Sequence, residues 1–287
     1  MQNLFLSFFI LLLAILVGIL LGNLSVLVLA ELLDKDLHNI LDIHASCSLE
    51  ERIFLRVINS LNHLFTFTLA PLAAAYFLFK KEWWTQLGWV EKLKGSHLLV
   101  GIAFISLSFP FAQLLYGINQ AIPMPDWAFQ AERETEQLLF CILQMQSLQE
   151  LIANILVIAV LPAFGEEVLF RGFIQKRLSQ HIPAWAAITL TAFLFSAVHF
   201  QFEGFLARFL LGGILGFVFH QTQNLWVPIA THLFFNGLQV LVYYFFGEQA
   251  INQEVPDIQS MLLPGIISLL LLILFGYFWK KKTNHVH

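Results

Sequence analysis

The sequence predicts an all-α integral membrane protein, a single membrane domain over residues 1–287 built as a bundle of about eight transmembrane helices. Three observations carry that prediction. Hydrophobic residues make up 58% of the chain and charged residues only 12%, with a mean hydropathy of +0.75, far from the balance of a soluble domain. Apolar runs of about 20 or more residues, each long enough for a helix to cross ~30 Å of hydrocarbon, recur from end to end, and no polar linker separates two globular blocks. Basic and acidic residues gather in alternate loops, as they do in chains that cross a membrane repeatedly.

The first run, 4–30, has no basic segment before it and no clear small-residue cleavage site, so it is expected to remain as a span and not to be removed as a signal peptide. The later runs cover 53–79, 97–120, 149–177, 184–201, 205–222, 225–246 and 261–279, and those at 149–177 and 184–201 are the least hydrophobic. Counted this way, Lys80, Lys81, Lys92 and Lys94, then Lys176 and Arg177, then Lys280, Lys281 and Lys282 fall on one side with both termini. Asp34, Asp36, Asp42, Glu50 and Glu51, then Glu132, Glu134 and Glu136, then Glu248, Glu254 and Asp257 fall on the other. Basic loops stay inside, which places both termini and the loop of Lys92 in the cytoplasm.

Trp83, Trp84, Trp89 and Trp279 lie beside the basic clusters and read as interfacial anchors. The segments 83–94 and 127–149 mix aromatics with charges and read as amphipathic pieces on the membrane surface. Gly212 and Gly216 form a small-x-x-x-small step for close helix packing. Cys47 and Cys141 make no C-x-x-C motif; both fall outside the spans, where a disulfide could form, although two ordinary thiols is the plainer expectation. The net charge of −4 and the absence of a basic stripe set nucleic-acid binding aside.

Ionisable groups within a bilayer are costly, so each calls for a partner or a function. Glu166, Glu167 and Arg171 stand together in the run 149–177. Glu167 and Arg171 are four apart with the acid first, the favourable order for a helical ion pair. Glu166 is turned about 100° away and cannot share that arginine equally, which leaves it as a separate carboxylate suited to act as a general base. Pro162 removes a backbone donor and can open the helix there to water. Phe195 and His199 share a helix face in the next run, the phenyl ring beside the imidazole, and His232 and Asn236 share one in the run 225–246, where both could donate to a single oxygen. Together these groups provide a base, polar partners and oxyanion donors, which is what hydrolysis of a peptide bond requires.

The patterns E-E-x-x-x-R, F-x-x-x-H and H-x-x-x-N, carried in this order by Glu166, Glu167 and Arg171, by Phe195 and His199, and by His232 and Asn236, resemble the CAAX protease and bacteriocin-processing (Abi) family of intramembrane endopeptidases. Gly172 and Leu178 fit the usual continuation of the first motif, and the resemblance covers about residues 149–246, the expected catalytic core. It implies that Glu166 activates water with help from His199, that His232 and Asn236 hold the oxyanion, and that Glu167, Arg171 and Phe195 support them. No cofactor is favoured. Zinc stays open, with Glu166, His199 and His232 as three ligands, but the chain has no H-E-x-x-H and Asn236 suits an oxyanion better than a metal. The implied partners are the lipid bilayer and a peptide or membrane-associated protein substrate, and the implied location is the bacterial inner membrane.

Two other classes compete with this reading. One is a non-catalytic immunity or scaffold protein of the same fold, which would have little reason to keep Glu166 and His199. The other is a proton- or ion-coupled transporter, which would be expected to show paired halves with matching interrupted helices, and no such repeat is visible. Arg208 reads as snorkelling or pairing with Glu203, and Asn154 as helix–helix glue. His38, His44, His63, His97, His181, His285 and His287 read as solvated or interfacial.

Overall fold

A computed structural model describes residues 3–37, 47–89, 93–247 and 257–284; Lys92, Asp42, Glu248, Glu254, His38, His44, His285 and His287 lie outside them. The described residues form nine helices and no strand. These are α1 (Leu4–Leu32), α2 (Leu49–Gln86), α3 (Gly95–Gln120), α4 (Asp126–Leu143), α5 (Leu148–Leu178), α6 (Ala184–Ala197), α7 (Phe205–Thr222), α8 (Trp226–Phe246) and α9 (Ile258–Asn284). Seven of them, all but α4 and α6, are long and apolar enough to cross a membrane. The protein is an all-α, multi-pass integral membrane bundle.

Local chemistry sets the helix starts. Asn3 accepts from Phe5 N–H before α1, Ser48 and Glu51 cap each other before α2, and Ser147 accepts from Glu150 N–H before α5. On α1 the buried positions Ser7, Leu11, Gly18, Gly22, Val26 and Ala30 form one narrow stripe against the bundle. The remaining surface of that helix is apolar and exposed, as a helix facing lipid requires.

The run 184–201 is shorter than the sequence suggests. As α6 it has 14 residues, which rise only ~21 Å, and it stops at Ala197. The polar stretch that follows has its backbone satisfied by side chains instead of by further helix. Glu132 on α4 accepts from the N–H of Phe202 at 2.5 Å, and Arg208 donates to the side chain and carbonyl of Gln201. Arg208 therefore pairs with Gln201, not with Glu203, which accepts from Tyr116 and Gln120.

Two further expectations are corrected. Trp89 is no interfacial anchor: it is 1% exposed, packed among Trp84, Phe164 and Trp226. Cys47 and Cys141, expected as thiols, form a disulfide that ties the chain before α2 to the end of α4. Beside it lies a buried polar network that sequence reading missed. Arg52 donates to both carboxylate oxygens of Glu150 (2.8 and 3.1 Å) and to Cys47 O at 2.7 Å. Arg56 donates to Glu150 at 2.9 Å, to Asn154 at 2.7 Å, and to the carbonyls of Ile142 and Gln144 that the end of α4 leaves unpaired. Asn154 completes the join by donating to Ile142 O, so it is helix–helix glue as expected.

Candidate active site

The site is built on α2, α5, α6 and α8, and two prolines shape it. Helix α2 widens into a π-helical stretch at Leu64–Leu69, just before Pro71, and α5 does the same at Ile155–Val160, just before Pro162. A proline inside a helix lacks an N–H and its ring crowds the carbonyl four residues earlier, and a local widening relieves that clash. For Pro162 the carbonyl in question is that of Ile158. Asn236 of α8 supplies the missing donor, its amide reaching Ile158 O at 3.1 Å.

Glu166 follows directly on this opened turn. It is 7% exposed, and His63, His199 and His232 all stand within electrostatic reach of its carboxylate. The nearest contact is with His63, whose Nε2 lies 3.3 Å from Glu166 Oε1. His63 was read as interfacial; the structure buries it against the first glutamate. The signal that could have found it is its position inside the apolar run 53–79, since an ionisable residue there needs a partner.

Glu167 is fully buried and pairs with Arg171 at 2.9 Å, as helical spacing predicts. The same oxygen, Oε1, also meets Nδ1 of His232 at 2.9 Å. Arg171 extends across to α7 and donates to Gly212 O at 3.0 Å, and Gln175 one turn later donates to Gly216 O at 2.8 Å. A Cβ at residue 216 would come within 2.8 Å of the Gln175 side chain, so the glycine step does more than let helices touch: it exposes carbonyls to side chains of α5. Phe195 joins these groups. Its ring lies 4.7 Å from the Arg171 guanidinium, 5.2 Å from the His199 ring and 5.9 Å from the His232 ring.

The contacts assign the ring nitrogens. A carbonyl and a carboxylate oxygen accept hydrogen bonds, so His199 Nδ1, at 2.7 Å from Phe195 O, and His232 Nδ1, at Glu167, each carry the proton. In a neutral ring that leaves Nε2 of His199 as the lone-pair nitrogen. His232 presents an Nε2–H donor only as an imidazolium, for which Glu167 is the counter-charge. His232 is held by Glu167 through Nδ1 and Asn236 by Ile158 O through one amide N–H, which leaves Asn236 a second N–H.

Two large apolar grooves lie elsewhere. One, of about 710 Å³, runs between α2 and α5 from Leu49 and Gln149 to Leu64 and Leu161, and neither includes Glu166, His199 or His232 in its lining. Among the described residues, no group of three or more His, Cys, Asp or Glu side chains is arranged to hold a metal ion. Among the residues considered for zinc, Glu166 contacts His63, and His232 contacts Glu167 through Nδ1.

Residues 148–238 match the type II CAAX prenyl endopeptidase Rce1-like family. The resemblance read from the three motifs is thereby borne out, and all seven motif residues lie inside the match, while His63 lies outside it. The chain is 32% identical over 91 residues to "Uncharacterized protein YpbD" of Bacillus subtilis (strain 168), covering 30% of this chain and 44% of that protein. It is 24% identical over 163 residues to "Putative membrane peptidase YdiL" of the same organism, covering 57% of this chain and 65% of that one. The chain thus spans less than two thirds of either relative. No solved structure matches it.

Proposed function

We propose that the protein is an intramembrane endopeptidase of the CAAX protease type, in which Glu166 acts as general base. Glu166 takes a proton from a water molecule that attacks the peptide carbonyl, and the lone pair on His199 Nε2 helps orient that water. His232, as an imidazolium paired with Glu167, and the second N–H of Asn236 donate to the oxyanion that forms. Arg171 and Phe195 hold Glu167 and the two imidazoles in register. The observation that carries this reading is the setting of Glu166: a buried carboxylate after a proline-opened turn, ringed by three imidazoles, within the stretch matched by a protease family.

The substrate class we propose is a peptide or membrane-associated protein cleaved near a lipid-modified or membrane-embedded terminus. The location is the bacterial inner membrane with both termini in the cytoplasm, an orientation that takes the short apolar helix α6 as an eighth crossing beside the seven long ones. The disulfide supports that orientation, because Cys47 and Cys141 sit with the acidic loops, and disulfides persist on the oxidising side of a membrane.

The test is comparative peptidomics of membranes from cells making the wild type or Glu166→Gln. The variant keeps the size of the side chain and removes the base, so it should fold and lose at least ~100-fold of the cleavage products. A folded Glu166→Gln that yields the same products as the wild type would sink the proposal. A wild type that yields no product of its own would favour a non-catalytic scaffold.

A further inference from the structure

Outside the matched stretch, the side chain in contact with Glu166 is His63, 103 residues earlier in the chain. Three features of the structure hold that contact in place. The imidazole stacks on Phe67, ring centroids 4.8 Å apart and planes 20° from parallel, which sets the plane of the ring. The π-helical stretch beginning at Leu64 changes the register of α2 immediately after His63. Gly165, the residue before Glu166, lets α2 approach: a Cβ there would lie 2.9 Å from His63 Cε1 and 2.4 Å from Thr68 Oγ1. Both side chains of the contact are largely buried, 11% exposed for His63 and 9% for Glu166. His63 Nδ1 is buried and finds no hydrogen-bond partner among the described residues, so the polar tie that orients this ring is the one to Glu166.

Resting on the reading of Glu166 as general base, we propose that His63 is a positioning residue for it. A carboxylate oxygen accepts, so His63 Nε2–H donates to Oε1 and fixes the carboxylate rotamer, leaving Oε2 as the oxygen that faces water. No bond to substrate is made by His63 itself. A base held by one oxygen meets the attacking water at a constant angle, and a displacement of about 1 Å at such a point costs on the order of 100-fold in rate.

The test uses the full chain and pairs two His63 variants with Glu166→Gln. In peptidomics, His63→Ala should lose about 10- to 100-fold of the Glu166-dependent products. His63→Gln, whose side-chain amide offers an N–H at nearly the same place, should retain most of them, and the thermal midpoints of both should stay near that of the wild type. Independently of activity, nitrogen NMR of the chain in lipid, with isotope-labelled histidine, should show His63 protonated at Nε2 and its signal displaced in Glu166→Gln. Wild-type yield from His63→Ala, equal losses in both His63 variants, or a His63 signal indifferent to Glu166→Gln would each overturn the proposal. Where Glu166→Gln is inactive and His63→Ala is not, this inference alone fails; where Glu166→Gln still cleaves, the functional reading fails with it.

Discussion

The bundle holds two buried arginine–glutamate networks that differ in how they are wired. In the candidate active site, Glu167 and Arg171 sit one turn apart on α5, and His232 and Gly212 O close the set from α8 and α7. At the disulfide end, Glu150 binds Arg52 and Arg56, which lie 98 and 94 residues away on α2. The first network has a local ion pair that forms with the helix itself. The second exists only after α2, α4 and α5 have come together, so it reports on assembly of the bundle. One holds the candidate active site in shape, and the other joins the first half of the chain to the stretch that carries the motifs.

The difference predicts an order of sensitivity. Glu150→Ala leaves two buried guanidinium groups without their carboxylate, and should destabilise by at least the ~3–5 kcal/mol typical of breaking a buried pair. A thermal midpoint within a degree or two of the wild type would show that water or backbone carbonyls suffice for Arg52 and Arg56. Glu167→Gln leaves Arg171 and His232 with a neutral partner of the same shape, and a loss of about 3–5 kcal/mol with some residual cleavage is expected. If Glu167→Gln is stable but inactive while Glu166→Gln still cleaves, the two carboxylates have exchanged roles.

These same contrasts explain what could be read from the sequence. The spans, the Glu167–Arg171 pair and the Phe195–His199 neighbourhood were legible because each is a run or a pair four residues apart. Arg52 with Arg56, and Glu150 with Asn154, are also four apart, and could have been noticed as two matching faces at the starts of apolar runs. What no spacing reveals is that these two faces meet. His63 was missed for a different reason: it was grouped with the histidines near loops and span ends, although it lies well inside the run 53–79. The disulfide was left open because two cysteines far apart in a chain say nothing about distance, and the break at Ala197 because side chains from α4 and α7 cause it.

A smaller effect is expected at the disulfide. It closes a 94-residue separation, and Cys47→Ser with Cys141→Ser should cost about 2–4 kcal/mol, reproduced by adding reductant to the wild type. An unchanged midpoint in reductant would mean that the Arg52 contact to Cys47 O holds this end without the covalent link. The smallest effect concerns α4, where burial and then the charges of Glu203 and Glu132 push the Glu136 carboxyl above its ordinary value. A carboxyl with a raised folded-state pKa favours the fold while protonated, and this contribution is lost as pH rises through that pKa. Glu136 lies at the exposed margin of the helix, so solvent screens much of the effect. Between about pH 4 and about pH 7 the midpoint of Glu136→Gln should gain slightly on that of the wild type. Parallel curves would remove Glu136 from the account.

The bond from Asn236 to Ile158 O makes residues 162 and 236 energetically interdependent. With proline at 162, loss of the amide at 236 strands a carbonyl in the bundle. With a donor-bearing residue at 162, the same loss would be milder, because the helix could satisfy Ile158 by itself. The cost of changing Asn236 is therefore a property of the pair, not of the residue. The role proposed for it at the oxyanion becomes separable from its structural share only in a chain where Pro162 has been replaced.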